Sequence, residues 1–160
     1  MNAGNRRGCE KVPTELRDHW LDGIDRAARS GNVWAKLQYG QLAIADYDSV
    51  AGIVANVDEV IARRDKARAY LFEALRSGDP RSLRALADGY ATGSDSTPRL
   101  FAPDASKAYA YMYAGMLAGT YQQSFLDWTI ANGNVPLTAA QMAAAETEGR
   151  RIYEQCCEKH

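Results

Sequence analysis

The chain is poor in the residues on which most enzymes and metal sites depend. Its 160 residues include two histidines and three cysteines, and the cysteines stand near the two ends. It has neither a His-Glu-x-x-His motif nor a glycine-rich phosphate loop placed after a strand. Structural zinc sites need four ligands, usually in tighter paired spacings than the candidates here show, which are Cys9, Cys156, Cys157 and His160. We therefore expect no catalytic residue, no cofactor and no metal.

The chain also has little net charge and no long apolar run. It carries 19 Lys and Arg against 20 Asp and Glu, a formal net charge of −1. Nucleic-acid-binding proteins are usually basic, and the densest basic run here, residues 63–68, is interrupted by Asp65. The longest apolar stretch, residues 50–57, is much shorter than the roughly 20 residues of a membrane-spanning helix. These features predict no nucleic-acid partner and no transmembrane segment.

The chain does contain an internal repeat. Lys-Ala pairs at 66–67 and 107–108 are each followed by ten residues and then by a glycine, Gly78 or Gly119. A weaker third copy ends at Gly31. The three glycines thus recur at intervals of roughly 40–50 residues, a period typical of stacked helical repeats. Matching positions in the two strong copies hold Tyr70 and Tyr111, and then the small residues Ala74 and Gly115.

Each of the three glycines is followed by a polar residue: Asn32, Asp79 or Thr120. A helix commonly ends on a glycine in the left-handed conformation, and the next helix favours a side chain that accepts hydrogen bonds from its free N–H groups. At the second junction Pro80 suits the first helical position. We therefore expect three tight helix–turn–helix junctions. Small residues are expected where the helices approach one another, at Ala27, Ala28, Ala67, Ala74, Ala108 and Gly115.

These motifs resemble the Sel-one-like repeat, a relative of the tetratricopeptide repeat. The second-helix pattern of that family matches Asp104, Lys107-Ala108, Tyr111 and Gly119. The first-helix pattern matches Leu86, Ala87, Tyr90 and Gly93, with Ala in place of the family's Gly, and Tyr39-Gly40 follows Ala35 in the earlier copy. The last copy has Asp127-Trp128 where the family has Leu-Gly. The resemblance covers residues 19–133. It implies an all-α, right-handed α-α superhelix (solenoid) of about three antiparallel helix pairs with a C-terminal capping helix.

The rest of the chain is divided around this repeat region. Residues 1–12 are expected to form a flexible N-terminal segment, and residues 13–160 a single domain whose first helix is capped by Thr14. A capping box at Thr138 and Gln141 predicts a capping helix over residues 138–158. Two longer connections are expected at 46–58 and 93–104. Their apolar residues, Ile53, Val54, Leu100 and Phe101, are expected to pack inward rather than contact a partner.

The resemblance also implies where a partner binds, because in the tetratricopeptide arrangement the first helix of each pair lines a concave face. Counting from each junction glycine, positions +3, +6 and +10 share that face, whereas +4, +8 and +12 point to the core. The predicted partner-binding residues are Trp34, Leu37, Gln41, Arg81, Arg84, Asp88, Gln122, Phe125 and Thr129. Aromatic residues and arginine dominate binding hot spots, so we expect Arg81 and Arg84 to contact an acidic segment of a protein partner. The alternative is that Trp34 and Phe125 pack under the terminal helices.

The paired carboxylates do not suggest acid–base catalysis. Asp22 and Asp25 are expected on a solvated helix face, and Asp46 and Asp48 in a loop. We therefore expect a non-catalytic protein–protein interaction module, or adaptor, whose partner is not identified. An immunity protein that inhibits a secreted toxin, a cell-envelope enzyme of the penicillin-binding type and a structural envelope protein are the alternatives.

The compartment is left open between two choices. The residues after Arg6 and Arg7 lack the apolar core of a signal peptide. The choices are therefore the bacterial cytoplasm, or the periplasm if an export signal has been trimmed. An oxidising compartment would allow Cys9 to bridge to Cys156 or Cys157, and in a reducing one all three thiols are free; the sequence leaves this choice open.

Overall fold

A computed structural model of the chain describes residues 19–47, 49–91, 100–131 and 137–158. Over these ranges the chain is all-helical, with eight α-helices and no strand, which confirms the predicted all-α class. The predicted segment 1–12, the cap at Thr14, Asp48 and Gly93 lie outside the described residues. The helices are α1 (Trp20–Arg29), α2 (Val33–Leu42), α3 (Val50–Ala55), α4 (Val57–Arg76), α5 (Arg81–Tyr90), α6 (Ala105–Leu117), α7 (Gln123–Ala131) and α8 (Ala139–Cys156).

The three junction glycines share one backbone conformation. Gly31, Gly78 and Gly119 have φ of 95°, 82° and 73°, and within the described ranges no other residue has a positive φ. At the first junction the Gly31 N–H donates to the Ala28 carbonyl and the Asn32 N–H to the Ala27 carbonyl, both at 3.1 Å. The other two junctions repeat this pair of bonds, which is the Schellman ending of a helix. The predicted left-handed glycine junctions are confirmed.

The residues after the glycines behave as predicted at two junctions and differently at the third. Asn32 accepts a hydrogen bond from the Ala35 N–H at 3.0 Å, and Asp79 accepts one from the Arg81 N–H at 3.0 Å. Pro80 stands one residue before the first helical position of α5. The Thr120 hydroxyl instead donates to the Pro80 carbonyl at 3.5 Å, and α7 begins three residues later, at Gln123. The prediction that Thr120 starts a helix is therefore wrong.

We expect Gly31→Ala to lower the free energy of unfolding by about 1–2 kcal/mol, which is the cost of a left-handed conformation for an L residue. A Cβ at Gly31 would meet no atom within 4 Å, so this cost comes from the backbone alone. Gly31→Asn is expected to lose less, because asparagine tolerates the conformation better. Urea denaturation of the two variants and the wild type measures both effects. An alanine variant as stable as the wild type would contradict the left-handed junction.

Most helices pack against a helix that is close to them in the chain. Helix α1 packs on α2, α2 on α4, α4 on α5, α5 on α6, and both α7 and α8 pack on α6. In addition, α2 contacts α5 and α8 contacts α4. The first helices of two consecutive predicted pairs, α2 and α5, are therefore neighbours.

Two clusters of buried apolar side chains form the core. The smaller one joins α1, α2 and the first part of α4, and includes Leu21, Tyr39 and Val60. The larger one joins Leu37 of α2 and the last part of α4 to α5, α6, α7 and α8. The small residues predicted at helix contacts are buried at Ala28, Ala67, Ala74, Ala108 and Gly115, and Ala27 is half-buried.

Helix α8 covers one end of the larger cluster, with Ala145, Ile152 and Cys156 buried. Its predicted capping box is confirmed: the Gln141 N–H donates to Thr138 Oγ1 at 3.3 Å, and the Thr138 N–H donates to Gln141 Oε1 at 2.9 Å. Cys156 and Cys157 form a disulfide with each other. The bridge from Cys9, which the sequence leaves open, is therefore not the pairing in this structure, because the two sulfurs are bonded to each other. Cys9 and His160 lie outside the described residues.

The first of the two predicted connections contains helix. Residues 50–55 form α3 and α4 begins at Val57, so the connection predicted over 46–58 is wrong over most of its length. Ile53 is half-buried, but Val54 is 69% exposed and does not pack inward as predicted. In the second connection Phe101 is buried and stacks on Tyr90 with ring centroids 4.3 Å apart. Phe101 thus packs inward as predicted, and Leu100 is half-buried.

Candidate functional site

Seven of the nine predicted partner-binding residues are exposed. We call these seven the first-helix surface; they are Trp34 and Gln41 on α2, Arg81, Arg84 and Asp88 on α5, and Phe125 on α7 with Gln122 just before it. Helices α2 and α5, which carry the first two groups, contact each other. The hydrogen bond from Thr120 to the Pro80 carbonyl joins the segment before α7 to the residue before α5. The elements that carry the three groups are therefore connected through α5 and the residue before it.

Leu37 and Thr129 do not belong to this surface, and their predicted role is wrong. Leu37 is 5% exposed and belongs to the larger core cluster. Thr129 is 7% exposed, and its hydroxyl donates to the Phe125 carbonyl at 2.8 Å. The first helices bury more positions than +4, +8 and +12 after the glycine. In addition, the segment between the glycine and the start of the helix is longer before α7 than before α2. Counting a fixed number of residues from the junction glycine therefore does not predict which face Leu37 and Thr129 occupy.

Arg81 already forms an ion pair with Asp79, which lies just before α5. Its Nε donates to Asp79 Oδ1 at 2.9 Å and its Nη2 donates to Asp79 Oδ2 at 2.5 Å. These hydrogen bonds hold the pKa of the Asp79 carboxyl below its ordinary value, although burial acts in the opposite direction. A bidentate contact of this kind is one of the stronger ion pairs. A carboxylate on a partner would have to compete with Asp79 for Arg81.

Arg84 is the more available cation. Its side chain is 69% exposed, and its nearest carboxylate oxygen, on Asp88, lies 3.8 Å from Nε. Asp88 is also exposed, and such pairs between neighbouring turns contribute well under about 1 kcal/mol. An incoming carboxylate could replace Asp88 at little cost. Of the two predicted arginines, Arg84 is therefore the better placed to meet an acidic segment.

The aromatic members of the surface differ in their surroundings. Trp34 is 55% exposed, which leaves about half of a large apolar side chain in contact with water. Phe125 is 42% exposed and stacks on Tyr121, with ring centroids 5.3 Å apart and an interplanar angle of 8°. Because this stacking holds the Phe125 side chain, its ring is presented at a defined position on the surface.

A second polar cluster lies between α1 and α4, and sequence reasoning missed it. Asp25 has a side chain only 7% exposed, so its predicted place on a solvated face is wrong. Tyr70 Oη donates to Asp25 Oδ1 at 2.7 Å, Lys66 Nζ donates to Oδ2 at 3.0 Å, and Arg29 also pairs with Oδ2. Tyr39 packs edge-on against the Tyr70 ring, with centroids 5.2 Å apart.

This cluster is a structural clamp. Burial raises the pKa of Asp25, but the hydrogen bonds from Tyr70 and Lys66 and the charges of Lys66 and Arg29 outweigh burial and lower the pKa below 3.8. A carboxylate with both oxygens engaged by donors is a poor proton acceptor. The spacing of Asp25 from its neighbours is the sequence signal of its burial. Leu21, Asp25 and Ala28 lie on one face of α1, and all three are buried.

An open pocket of about 180 Å³ adjoins the clamp and is lined by side chains of α1 and α4 with Tyr39. Its lining carries three carboxylates, Asp22, Asp25 and Glu59, against the two cations Arg63 and Lys66, so neither sign of charge is in large excess. Within the described ranges no three His, Cys, Asp or Glu side chains gather to hold a metal ion. None of the helices described above has the length and apolarity that a membrane span requires.

Comparison with protein-family models, with characterised proteins and with solved structures finds no match to the chain.

Proposed function

We propose that this chain is a non-catalytic protein-interaction module, built from Sel-one-like helix pairs that stack in a right-handed superhelix and bind a protein partner through the first-helix surface. The observation that carries the proposal is the similarity of the three glycine junctions. Gly31, Gly78 and Gly119 recur at a near-constant spacing and share a left-handed conformation and the same two hydrogen bonds. Helix endings of the same kind at a near-constant period favour stacking of similar units.

The composition of the first-helix surface supports a binding role. Tryptophan and arginine are the residue types that most often dominate interface energetics, and both are present and exposed, as Trp34 and Arg84. The backbone beneath them belongs to packed helices, α2 and α5, rather than to loops. A rigid scaffold of this kind loses little conformational entropy when a partner binds.

The charges of the surface indicate the chemistry of the partner. Among the residues that the structure describes, Arg84 pairs with Asp88 through a long exposed contact, whereas Arg81 is already bound to Asp79. We infer that the partner presents an acidic segment that pairs with Arg84 and places an apolar side chain against Trp34. Arg81 contributes long-range attraction more than direct contact.

Charge reversal at both arginines is expected to weaken partner binding by about 30-fold or more, the loss that corresponds to a hot spot of about 2 kcal/mol. The variant is Arg81→Glu with Arg84→Glu, compared with the wild type in affinity capture from a lysate of the source cells and then in titration with the captured partner. Arg26→Glu with Arg76→Glu is the matched control, because both residues are exposed arginines on α1 and α4. Equal binding by all three proteins would refute the proposed site.

A further inference from the structure

The adjacent cysteines at the end of α8 form a chemical unit that the proposed binding role does not use. Cys156 is the last residue of α8, Cys157 follows it, and their sulfurs are bonded to each other. A disulfide between neighbours closes an eight-membered ring that includes the peptide bond between them. The chain has three cysteines in all, so Cys9 is the one left outside the pair.

This ring is incompatible with a continuing helix. Side chains of consecutive residues in an α-helix point about 100° apart around the axis, so two neighbouring sulfurs cannot meet while both residues are helical. Helix α8 ends at Cys156, and Cys157 has φ −129° and ψ −14°, which lies outside the α-helical region. The backbone therefore leaves the helical conformation at Cys157, although the N–H groups of Cys157 and Glu158 still donate to the Tyr153 carbonyl, at 2.8 and 3.1 Å.

The two sulfurs differ in their surroundings. Cys156 is 7% exposed and belongs to the larger core cluster, whereas Cys157 is half-buried beside it. A free cysteine in such a core position behaves as a small apolar side chain, so Cys156 fits its site in either oxidation state. Cys157 offers the sulfur that a reagent in solution reaches first.

We propose that the Cys156–Cys157 disulfide is a redox site, opened by a dithiol reductant and closed by a disulfide oxidant, and that opening lets α8 continue past Cys156. The reductant's thiolate attacks the Cys157 sulfur, the bond between the two cysteines breaks, and the Cys156 sulfur leaves and takes a proton. The second thiol of the reductant then attacks the mixed disulfide and releases the Cys157 thiol. The protein gains two electrons and two protons, and the reductant leaves as a disulfide.

The test uses the full chain with Cys9→Ser, so that the pair alone is counted. Air-oxidised protein, unfolded and alkylated, is expected to show no reactive thiol, and protein first treated with dithiothreitol in the folded state is expected to show two. Peptide mapping of the wild type under oxidising conditions must find the bond between Cys156 and Cys157. A bond from Cys9 to either residue, or reduction that occurs only after the protein unfolds, would overturn the proposal.

The conformational part has its own readout. On reduction, the Cα chemical shift of Glu158 is expected to move toward its helical value, and reoxidation with oxidised dithiothreitol is expected to reverse the change. A variant with Cys156→Ser and Cys157→Ser is the control; it is expected to show the extended helix at all times and no response to dithiothreitol. A Glu158 shift that is the same in the oxidised and reduced forms would overturn the proposed helix extension.

Discussion

Replacing Asp25 with alanine is expected to lower the free energy of unfolding by about 3 kcal/mol, the lower end of the range for breaking a buried charged pair. The change removes the acceptor of the Tyr70 hydroxyl, which is buried, and leaves that donor without its partner. The side chains of Lys66 and Arg29 are 43% and 66% exposed and regain water, which keeps the loss from being larger. Urea denaturation at neutral pH measures the difference.

Asp22→Ala is the matched control for this change. Asp22 is another acid of α1, but its side chain is 74% exposed and its contact is a 3.4 Å pair with His19. Its loss is expected to cost no more than about 0.5 kcal/mol. Tyr70→Phe removes only the hydroxyl, and a double-mutant cycle with Asp25→Asn is expected to give a coupling energy of about 1–3 kcal/mol. Equal effects of Asp22→Ala and Asp25→Ala would show that no clamp exists.

The clamp also predicts a pH dependence. The pKa of Asp25 is lowered in the folded protein relative to its ordinary value of 3.8, so its contribution to stability is fully present above that value. The contribution is lost as the pH falls through the folded-state pKa. The stability difference between the wild type and Asp25→Asn is therefore expected to be constant from pH 5 to 7 and to shrink below about pH 4. A difference that grows as the pH falls would contradict the lowered pKa.

Gly149→Ala is expected to destabilise the protein by about 2 kcal/mol through overpacking between α6 and α8. A Cβ at Gly149 would lie 2.5 Å from the carbonyl oxygen of Ala110, a backbone atom that cannot rotate away. It would also lie 3.1 Å from the Cβ of Tyr113. The two helices would have to separate where α8 covers the larger core cluster.

Gly23→Ala is expected to have the opposite effect on the stability of the protein. Gly23 lies inside α1, and a Cβ there would meet no atom within 4 Å. Alanine is the better helix former by about 1 kcal/mol, so this variant is expected to be more stable than the wild type. Thermal and urea unfolding of the two variants separates close packing from helix propensity. If Gly149→Ala is also stabilising, α6 and α8 do not approach as described.

The features that could be predicted from the sequence are those decided by local chemistry. A glycine before a polar residue ends a helix for reasons contained in a few residues, and Gly31, Gly78 and Gly119 behave alike. The Thr138–Gln141 capping box is equally local and is present. The all-helical class follows from such signals repeated along the chain.

The features that could not be predicted depend on contacts between distant segments. Asp25 looks like one of several surface acids until α4 brings Tyr70 and Lys66, which are 45 and 41 residues away, against it. Counting residues from Gly31 puts Leu37 on the binding face, but the packing of neighbouring helices buries it in the larger core cluster. The bond between Cys156 and Cys157 depends on how α8 ends, which the spacing of the cysteines does not determine.

Site-specific photo-crosslinking tests the central claim, that a protein partner binds the first-helix surface, most directly. A photoreactive amino acid would replace Trp34 or Arg84 on this surface, or Arg26 or Arg76 on α1 and α4, and each protein would be irradiated with its captured partner. The account predicts a crosslinked product of one defined mass from positions 34 and 84, and none from positions 26 and 76. Crosslinking from positions 26 and 76 without any from 34 and 84 would show that the partner binds α1 and α4 instead and would contradict the account.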